Sequence, residues 1–244
     1  MIIGFIIAAG KQTRFNSEKP KALAMFGDHS ALDHNCDLMQ RYCDEIYVVC
    51  SKHNKHYFEK SHSSYTDLIV VDPLLGCGDS IYRALKDYIN SKNPNKNTTC
   101  IIHWGDSYQT EEVYNSIDFD NNKGIQVPCC VEKNPYVNFL TVGTKIVEVQ
   151  FSKYGEIEKD TVGYHDCSLF YGNIYYIYEK CKEYYDTYFS EAGQNYISYN
   201  HGKDFNFLDI FNRFSASGYI CELSGKAVKS FNTIDELSRV GGSI

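Results

Sequence analysis

Four cations, Lys11, Arg14, Lys19 and Lys21, crowd into one short stretch near the start of this chain, opposed there only by Glu18. The chain as a whole carries a net charge of −7, so this cluster is a local cradle for something anionic. Directly before it, the apolar run from Ile2 to Ile7 gives way to Ala8-Ala9-Gly10, whose small side chains let a ligand approach the backbone closely. Main-chain N–H groups at such a strand-to-loop turn, joined by Arg14 and Lys21, suit the phosphates of a nucleoside triphosphate. Arg14 can grip two oxygens in a planar fork, whereas Lys21 acts as a point charge. An ordinary buried strand running into a solvated basic loop is the plainer alternative.

Further segments carry compatible chemistry. In Leu74-Leu75-Gly76-Cys77-Gly78-Asp79-Ser80, two glycines allow a flat ring to lie against the backbone and Ser80 can hydrogen-bond to it; the same stretch also reads as a simple strand-to-helix turn. Trp104-Gly105-Asp106 ends an apolar run with a carboxylate, which suits a hard cation; Asp106 could equally cap a turn. Lys153 follows another apolar run, at Phe151-Ser152-Lys153. The chain contains no G-x-S-x-G, H-E-x-x-H or P-loop motif, and nothing pairs its dispersed histidines with a nucleophile.

The joint pattern of residues 8–15 with Lys19-Pro20-Lys21-Ala22-Leu23 resembles the A-A-G-x-G-T-R and P-K-x-L signature of the nucleotidyltransferases that make sugar nucleotides and CDP-activated metabolites. Gln12 stands where the second glycine is expected. The resemblance implies a nucleotide-binding loop of Ala8, Ala9, Gly10, Lys11, Gln12 and Thr13, with Arg14 and Lys21 as catalytic cations and Lys21 near the α-phosphate. Gly76, Gly78, Asp79 and Ser80 would face the nucleobase, and Lys153 the acceptor phosphate. Asp106 would hold Mg²⁺. Where relatives carry a second metal carboxylate this chain reads Ser230-Phe231-Asn232-Thr233, so Asn232 would supply a neutral oxygen; Asp204 and Asp209 are other candidates. Pro20-Lys21 differs from the Asp-Lys of the molybdopterin guanylyltransferases. The whole chain is similar to cytidylyltransferases of capsular polysaccharide modification, which implies CTP and a phosphorylated small-molecule acceptor, such as L-glutamine phosphate in the phosphoramidate pathway. A sugar-1-phosphate nucleotidyltransferase using UTP or dTTP is the nearest alternative. A GT-A type glycosyltransferase with Asp118-Phe119-Asp120 as its metal motif is another.

Positioning these groups requires strands ending at a common edge. Strands are expected at residues 45–50, 68–71 and 100–104, with helices near 31–42 and 79–88 and a short helix within 51–62. Such alternation predicts a three-layer α/β/α, Rossmann-like mixed and mainly parallel sheet, whose ligands sit at the carboxyl ends of the strands. Residues 125–132, 139–142, 145–151 and 168–178 read as longer strands, with a hairpin turn at Gly143-Thr144. Helices at 207–214 and 234–240 flank a strand at 219–223. With 244 residues and no linker-like composition, one domain spanning 1–244 is expected, its nucleotide-binding half at 1–124 and its acceptor-binding half at 125–244.

The acidic charge argues against nucleic-acid and anionic-membrane surfaces. No apolar run approaches the roughly 18–20 residues that span a bilayer. Ten cysteines lie scattered through apolar segments without C-x-x-C pairs, as expected of reduced core residues in a cytoplasmic protein.

Overall fold

A computed structural model describes residues 1–10, 15, 17–61, 64–72, 75–121, 123–188, 204–224 and 229–244. The cationic loop residues Lys11, Gln12, Thr13 and Arg14 lie outside the described residues.

The chain opens with β1 (Ile2–Ile7), a 3₁₀ turn (Lys21–Leu23), the short pair β2 (Met25–Phe26) and β3 (His29–Ser30), and α1 (Ala31–Met39). It continues through β4 (Glu45–Cys50), α2 (Lys55–Phe58), β5 (Asp67–Val70), α3 (Cys77–Lys92), β6 (Thr99–Trp104), β7 (Ser107–Tyr108) and α4 (Glu111–Asn115). The second half holds β8 (Ile125–Lys133), β9 (Val137–Val142), β10 (Lys145–Phe151), β11 (Val162–Asp166), β12 (Leu169–Asn173) and α5 (Ile174–Tyr188). After these come α6 (Asp209–Arg213), β13 (Gly218–Leu223), β14 (Lys229–Ser230) and α7 (Ile234–Arg239).

Ten strands form one mixed sheet in the order β11-β9-β10-β13-β8-β12-β6-β1-β4-β5. The run β6-β1-β4-β5 is parallel throughout, as is the β13–β8 pair. Alternate residues of the parallel strands feed opposite cores, as strand geometry requires. Phe5, Tyr47, Val49 and Ile102 pack with α3, α5 and α6 on one face. On the other face Ile6, Val48 and Ile101 meet Leu32, Cys36 and Met39 of α1 and Val113 and Tyr114 of α4. The layers are therefore helix, sheet, helix, and the near-continuous apolar strands are explained by burial on both sides.

Two local expectations change. Residues 168–178 read as one strand because Ile174-Tyr175-Tyr176-Ile177-Tyr178 is rich in strand-favouring residues. The chain instead turns helical at Ile174: Asn173 Oδ1 accepts from the backbone N–H groups of Tyr175 and Tyr176, at 3.0 and 3.1 Å. Its buried residues Ile174, Ile177, Cys181 and Tyr184 follow the helical spacing, a signal that was present in the sequence. Helix α3 also begins earlier than Asp79, at Cys77. The Gly143-Thr144 turn is as expected, with Val142 opposite Lys145 and Gly143 at φ 60°.

Candidate active site

Parallel topology brings the carboxyl ends of β1 and β6 side by side, and the cavity lies there. It has a volume of about 600 Å³. Beyond β1, the Ala8 N–H bonds the Val49 carbonyl at 2.8 Å, and the Ala8 carbonyl accepts from Asn54 Nδ2 at 2.9 Å. Ala8 and Gly10 both line the cavity, and among the described residues no atom lies within 4 Å of where a Gly10 side chain would project. Ala9 turns the other way into the core.

Lys21 is buried, 9 % exposed, and its Nζ lies 3.2 Å from Asp106 Oδ2 and 3.3 Å from Asn232 Oδ1. Residues distant in sequence thus meet at one point. Asp106 arrives two residues beyond β6, where Gly105 is required: a Cβ there would stand 2.9 Å from the Ile7 carbonyl oxygen. Below it a buried polar network holds the neighbouring backbone. Asn35 Nδ2 of α1 donates to the Ser107 carbonyl at 2.7 Å and Asn35 Oδ1 accepts from the Gln109 N–H at 3.2 Å. Asn232 is delivered by the antiparallel pairing of β14 with β7, which sets Ser230 opposite Ser107. Phe231, fully buried against Phe15 and Phe26, anchors that segment. Among the described residues no three His, Cys, Asp or Glu side chains converge as a metal cluster. Asp106 and Asn232 nonetheless aim hard oxygen donors at one cationic nitrogen, an arrangement that fits a hard cation completed by ligand oxygens.

The glycine segment is only partly devoted to the cavity. Gly76, at φ 105°, and Ser80 line it, and Ser80 Oγ donates to the Gly76 carbonyl at 3.3 Å. Gly78 does not line it: a Cβ there would stand 2.4 Å from the Phe205 ring, so packing demands this glycine. Asp79 is likewise turned away, fully buried with both carboxylate oxygens taking Arg83 Nε at 2.8 and 2.9 Å. The first turn of α3 thus rotates Gly78 and Asp79 inward, away from the cavity lining.

Lys153 borders the same cavity from the second half, its Nζ 4.5 Å from the centre of the Tyr154 ring. Burial works against its charge, but the Tyr154 hydroxyl together with Tyr136 and Cys77 outweighs this and holds its pKa above the ordinary lysine value. Asp204 also lines the cavity, whereas Asp209 receives the Tyr184 hydroxyl at 3.3 Å. Asp118 and Asp120 are absent from the lining; Asp118 Oδ1 accepts from the Asp120 N–H at 3.2 Å within its own turn. Sequence reasoning missed Asp166 and Ser168, which enter the cavity from the turn between β11 and β12. No motif marks them.

His103 is fully buried and its pKa is pushed down to about 3, chiefly by burial and then by His34. The ten cysteines are free thiols.

Residues 4–108 match the MobA-like NTP transferase domain, a segment that contains Gly10, Lys21, Gly76, Ser80 and Asp106. The fold around them agrees with that assignment. This segment is similar to the NTP-transferase superfamily. The bifunctional protein GlmU of Vesicomyosocius okutanii is 26 % identical over 136 residues, 55 % of this chain and 29 % of its own length. The chain therefore spans less than a third of that curated relative. The CTP:phosphocholine cytidylyltransferase of Streptococcus pneumoniae shares the fold across 98 % of this chain and 97 % of its own, with a TM-score of 0.71 and 14 % identity. A candidate glucose-1-phosphate thymidylyltransferase from Bacillus anthracis does so across 99 % and 94 %, with a TM-score of 0.74 and 16 % identity. Among the described residues no helix is long and apolar enough to cross a membrane.

Proposed function

We propose that the protein is a Mg²⁺-dependent cytidylyltransferase that moves CMP from CTP to a phosphorylated small metabolite, releasing pyrophosphate. The observation carrying this reading is that Gly10, Lys21, Asp106, Ser80 and Lys153, drawn from widely separated parts of the chain, border one cavity. The match of residues 4–108 to an NTP transferase domain and the fold shared with a cytidylyltransferase support it.

In the reaction an oxygen of the acceptor phosphate attacks the α-phosphorus of CTP, forming a new P–O–P link. The bond from the α-phosphorus to the bridging oxygen of the β-phosphate breaks, and that oxygen leaves on pyrophosphate. The attacking oxygen is already ionised, so no general base is needed. The remaining task is to align two polyanions and stabilise charge at the α-phosphorus. Lys21 supplies a buried positive charge for that purpose, and the loop from Ala8 to Thr13 with Arg14 receives the triphosphate. Ser80 and Gly76 face the nucleobase, and Lys153 neutralises the acceptor phosphate. Asp106 and Asn232 would hold the divalent ion, which when bound shields the triphosphate and draws charge from the reacting oxygens. L-Glutamine phosphate is the acceptor suggested by resemblance, and the two halves, 1–124 and 125–244, serve donor and acceptor within one domain.

The second reading is a sugar-1-phosphate nucleotidyltransferase using UTP or dTTP, favoured by the fold shared with the Bacillus anthracis protein and by the match to GlmU. Pyrophosphate release from each NTP against a panel of phosphorylated acceptors decides between them. Turnover with CTP is expected; turnover restricted to UTP or dTTP with a hexose phosphate rejects the CTP assignment.

A further inference from the structure

The parallel pairing of β1 with β4 is interrupted by a side chain. In its register Ile7 lies opposite Val49, so Ala8 falls opposite Cys50. A residue so placed in a parallel ladder bonds the neighbours on either side of its partner, here the Val49 carbonyl and the Ser51 N–H. The first bond is made, from the Ala8 N–H at 2.8 Å. The second is replaced. The Ser51 N–H donates to Asn54 Oδ1 at 2.8 Å, and Asn54 Nδ2 donates to the Ala8 carbonyl at 2.9 Å. The Asn54 amide thus occupies the rung, offering the acceptor and the donor that a peptide group would offer.

That amide is firmly held. Asn54 is 4 % exposed, and the Ser51 hydroxyl also donates to its Oδ1, at 3.0 Å. The interruption is confined to the β1 side of β4. On the other side the Val71 N–H bonds the Cys50 carbonyl at 2.8 Å, so pairing with β5 continues past the point where β1 departs. An amide standing between two backbone groups that would otherwise touch holds the two chains further apart than a direct hydrogen bond does.

The consequence falls on the next residues. Among the described residues no acceptor meets the N–H groups of Ala9 and Gly10, and Gly10 lines the cavity. Successive backbone donors without a protein partner suit the oxygens of an anion. A direct bond from Ser51 to Ala8 would instead extend the ladder and draw this backbone along β4.

We infer that Asn54 is a positioning residue for the triphosphate: its side-chain amide ends the β1–β4 ladder and sets the backbone from Ala8 to Gly10 at the cavity. This rests on the nucleotidyltransferase reading and deepens it by naming what holds the phosphate-binding turn open.

The test is calorimetric binding of CTP with Mg²⁺ to the full chain, with steady-state kinetics alongside. Asn54→Asp keeps an acceptor for Ser51 but has no N–H for the Ala8 carbonyl. Asn54→Ala removes the inserted group and lets Ser51 pair with Ala8 directly. Each should weaken CTP binding about tenfold, the scale of one lost hydrogen bond to a charged group. The KM for CTP should rise accordingly, with kcat and the acceptor KM near their wild-type values. Ser51→Ala loses the hydroxyl bond to the same Asn54 oxygen but leaves the amide on Ala8, so its CTP affinity should match wild type whatever its melting temperature. Unchanged CTP affinity in Asn54→Ala, an equal loss in Ser51→Ala, or a fall in kcat with the KM for CTP unmoved overturns the inference. A loss confined to Asn54→Asp also overturns it, since only the added charge would then be at work. Should neither Asn54 variant fold, titration of ¹⁵N-labelled wild-type protein with CTP decides. The Gly10 amide signal should shift on binding, and a signal that stays in place overturns the inference. Failure of the underlying reading shows separately, as wild-type protein that binds no nucleoside triphosphate.

Discussion

The two sides of the cavity are built on different principles. On one side β1 and β6 run parallel, so the residues just past the carboxyl end of each strand reach the same edge: Ala8 and Gly10 from one, Asp106 from the other. On the other side the strands alternate in direction. There the wall is made by the carboxyl ends of β10 and β11, through Phe151 and Asp166, and by the amino ends of β9 and β12, through Val137 and Ser168. In a parallel block, position in the sequence is enough to say where a residue will face. In an antiparallel block the ladder register decides, and it is set by partners far away in the chain.

If that contrast is right, breaking the parallel side should hurt most. Lys21→Ala and Asp106→Ala should each lower nucleotidyl transfer about a hundredfold, the scale for losing one transition-state charge contact. Melting temperature should barely move in either variant, and an unfolded protein would reassign that residue to structure.

Gly78 sharpens the comparison by separating chemistry from packing on one helix. Gly78→Ala should lower stability by about 1–3 kcal/mol in denaturant melts, because the added methyl meets the Phe205 ring in a filled core. Activity per folded molecule should hold. A normal melt accompanied by lost CTP binding would return Gly78 to the nucleotide.

His103, in β6 beneath the site, tests the buried core of the parallel side through pH. Its pKa is about 3 in the folded protein against the ordinary 6.5, so protons bind the unfolded chain first as pH falls. The contribution is complete above about pH 6.5 and is lost progressively towards pH 3, reaching about 2 kcal/mol at pH 5. Urea melts between pH 7.5 and 5 should show that loss, and His103→Asn should flatten the profile whatever its absolute stability. A profile that His103→Asn leaves unchanged would place the acid sensitivity elsewhere.

On the antiparallel side Lys153→Ala should raise the KM for the acceptor about tenfold with little change in CTP affinity, as expected for one lost charge-assisted contact. A matching loss of CTP binding would remove the distinction between the two walls.

Much of this was legible beforehand for physical reasons that are local. The doubly buried strands announce themselves by unbroken apolar runs, and β4 spans the expected residues 45–50. The Pro-Lys pair and the Trp-Gly-Asp strand end identified Lys21 and Asp106 as site candidates, and the fold brings their charged groups to 3.2 Å. Other features depended on neighbours. Helix α5 was hidden behind strand-favouring tyrosines and isoleucines whose preference yielded to packing against α3. Gly78 and Asp79 looked like a nucleotide loop until Phe205 and Arg83 claimed them.

Composition and spacing by themselves determined the alternating architecture, the cationic character of the first loop and the buried, apolar settings of most cysteines, since each depends on residues near one another in the chain. Only the tertiary structure decided that Asn232 joins Lys21 and Asp106, through a two-residue strand pairing, and that Asp166 and Ser168 reach the same cavity. Those placements come from contacts between segments separated by scores of residues, and a contact of that kind leaves no period or motif in either partner.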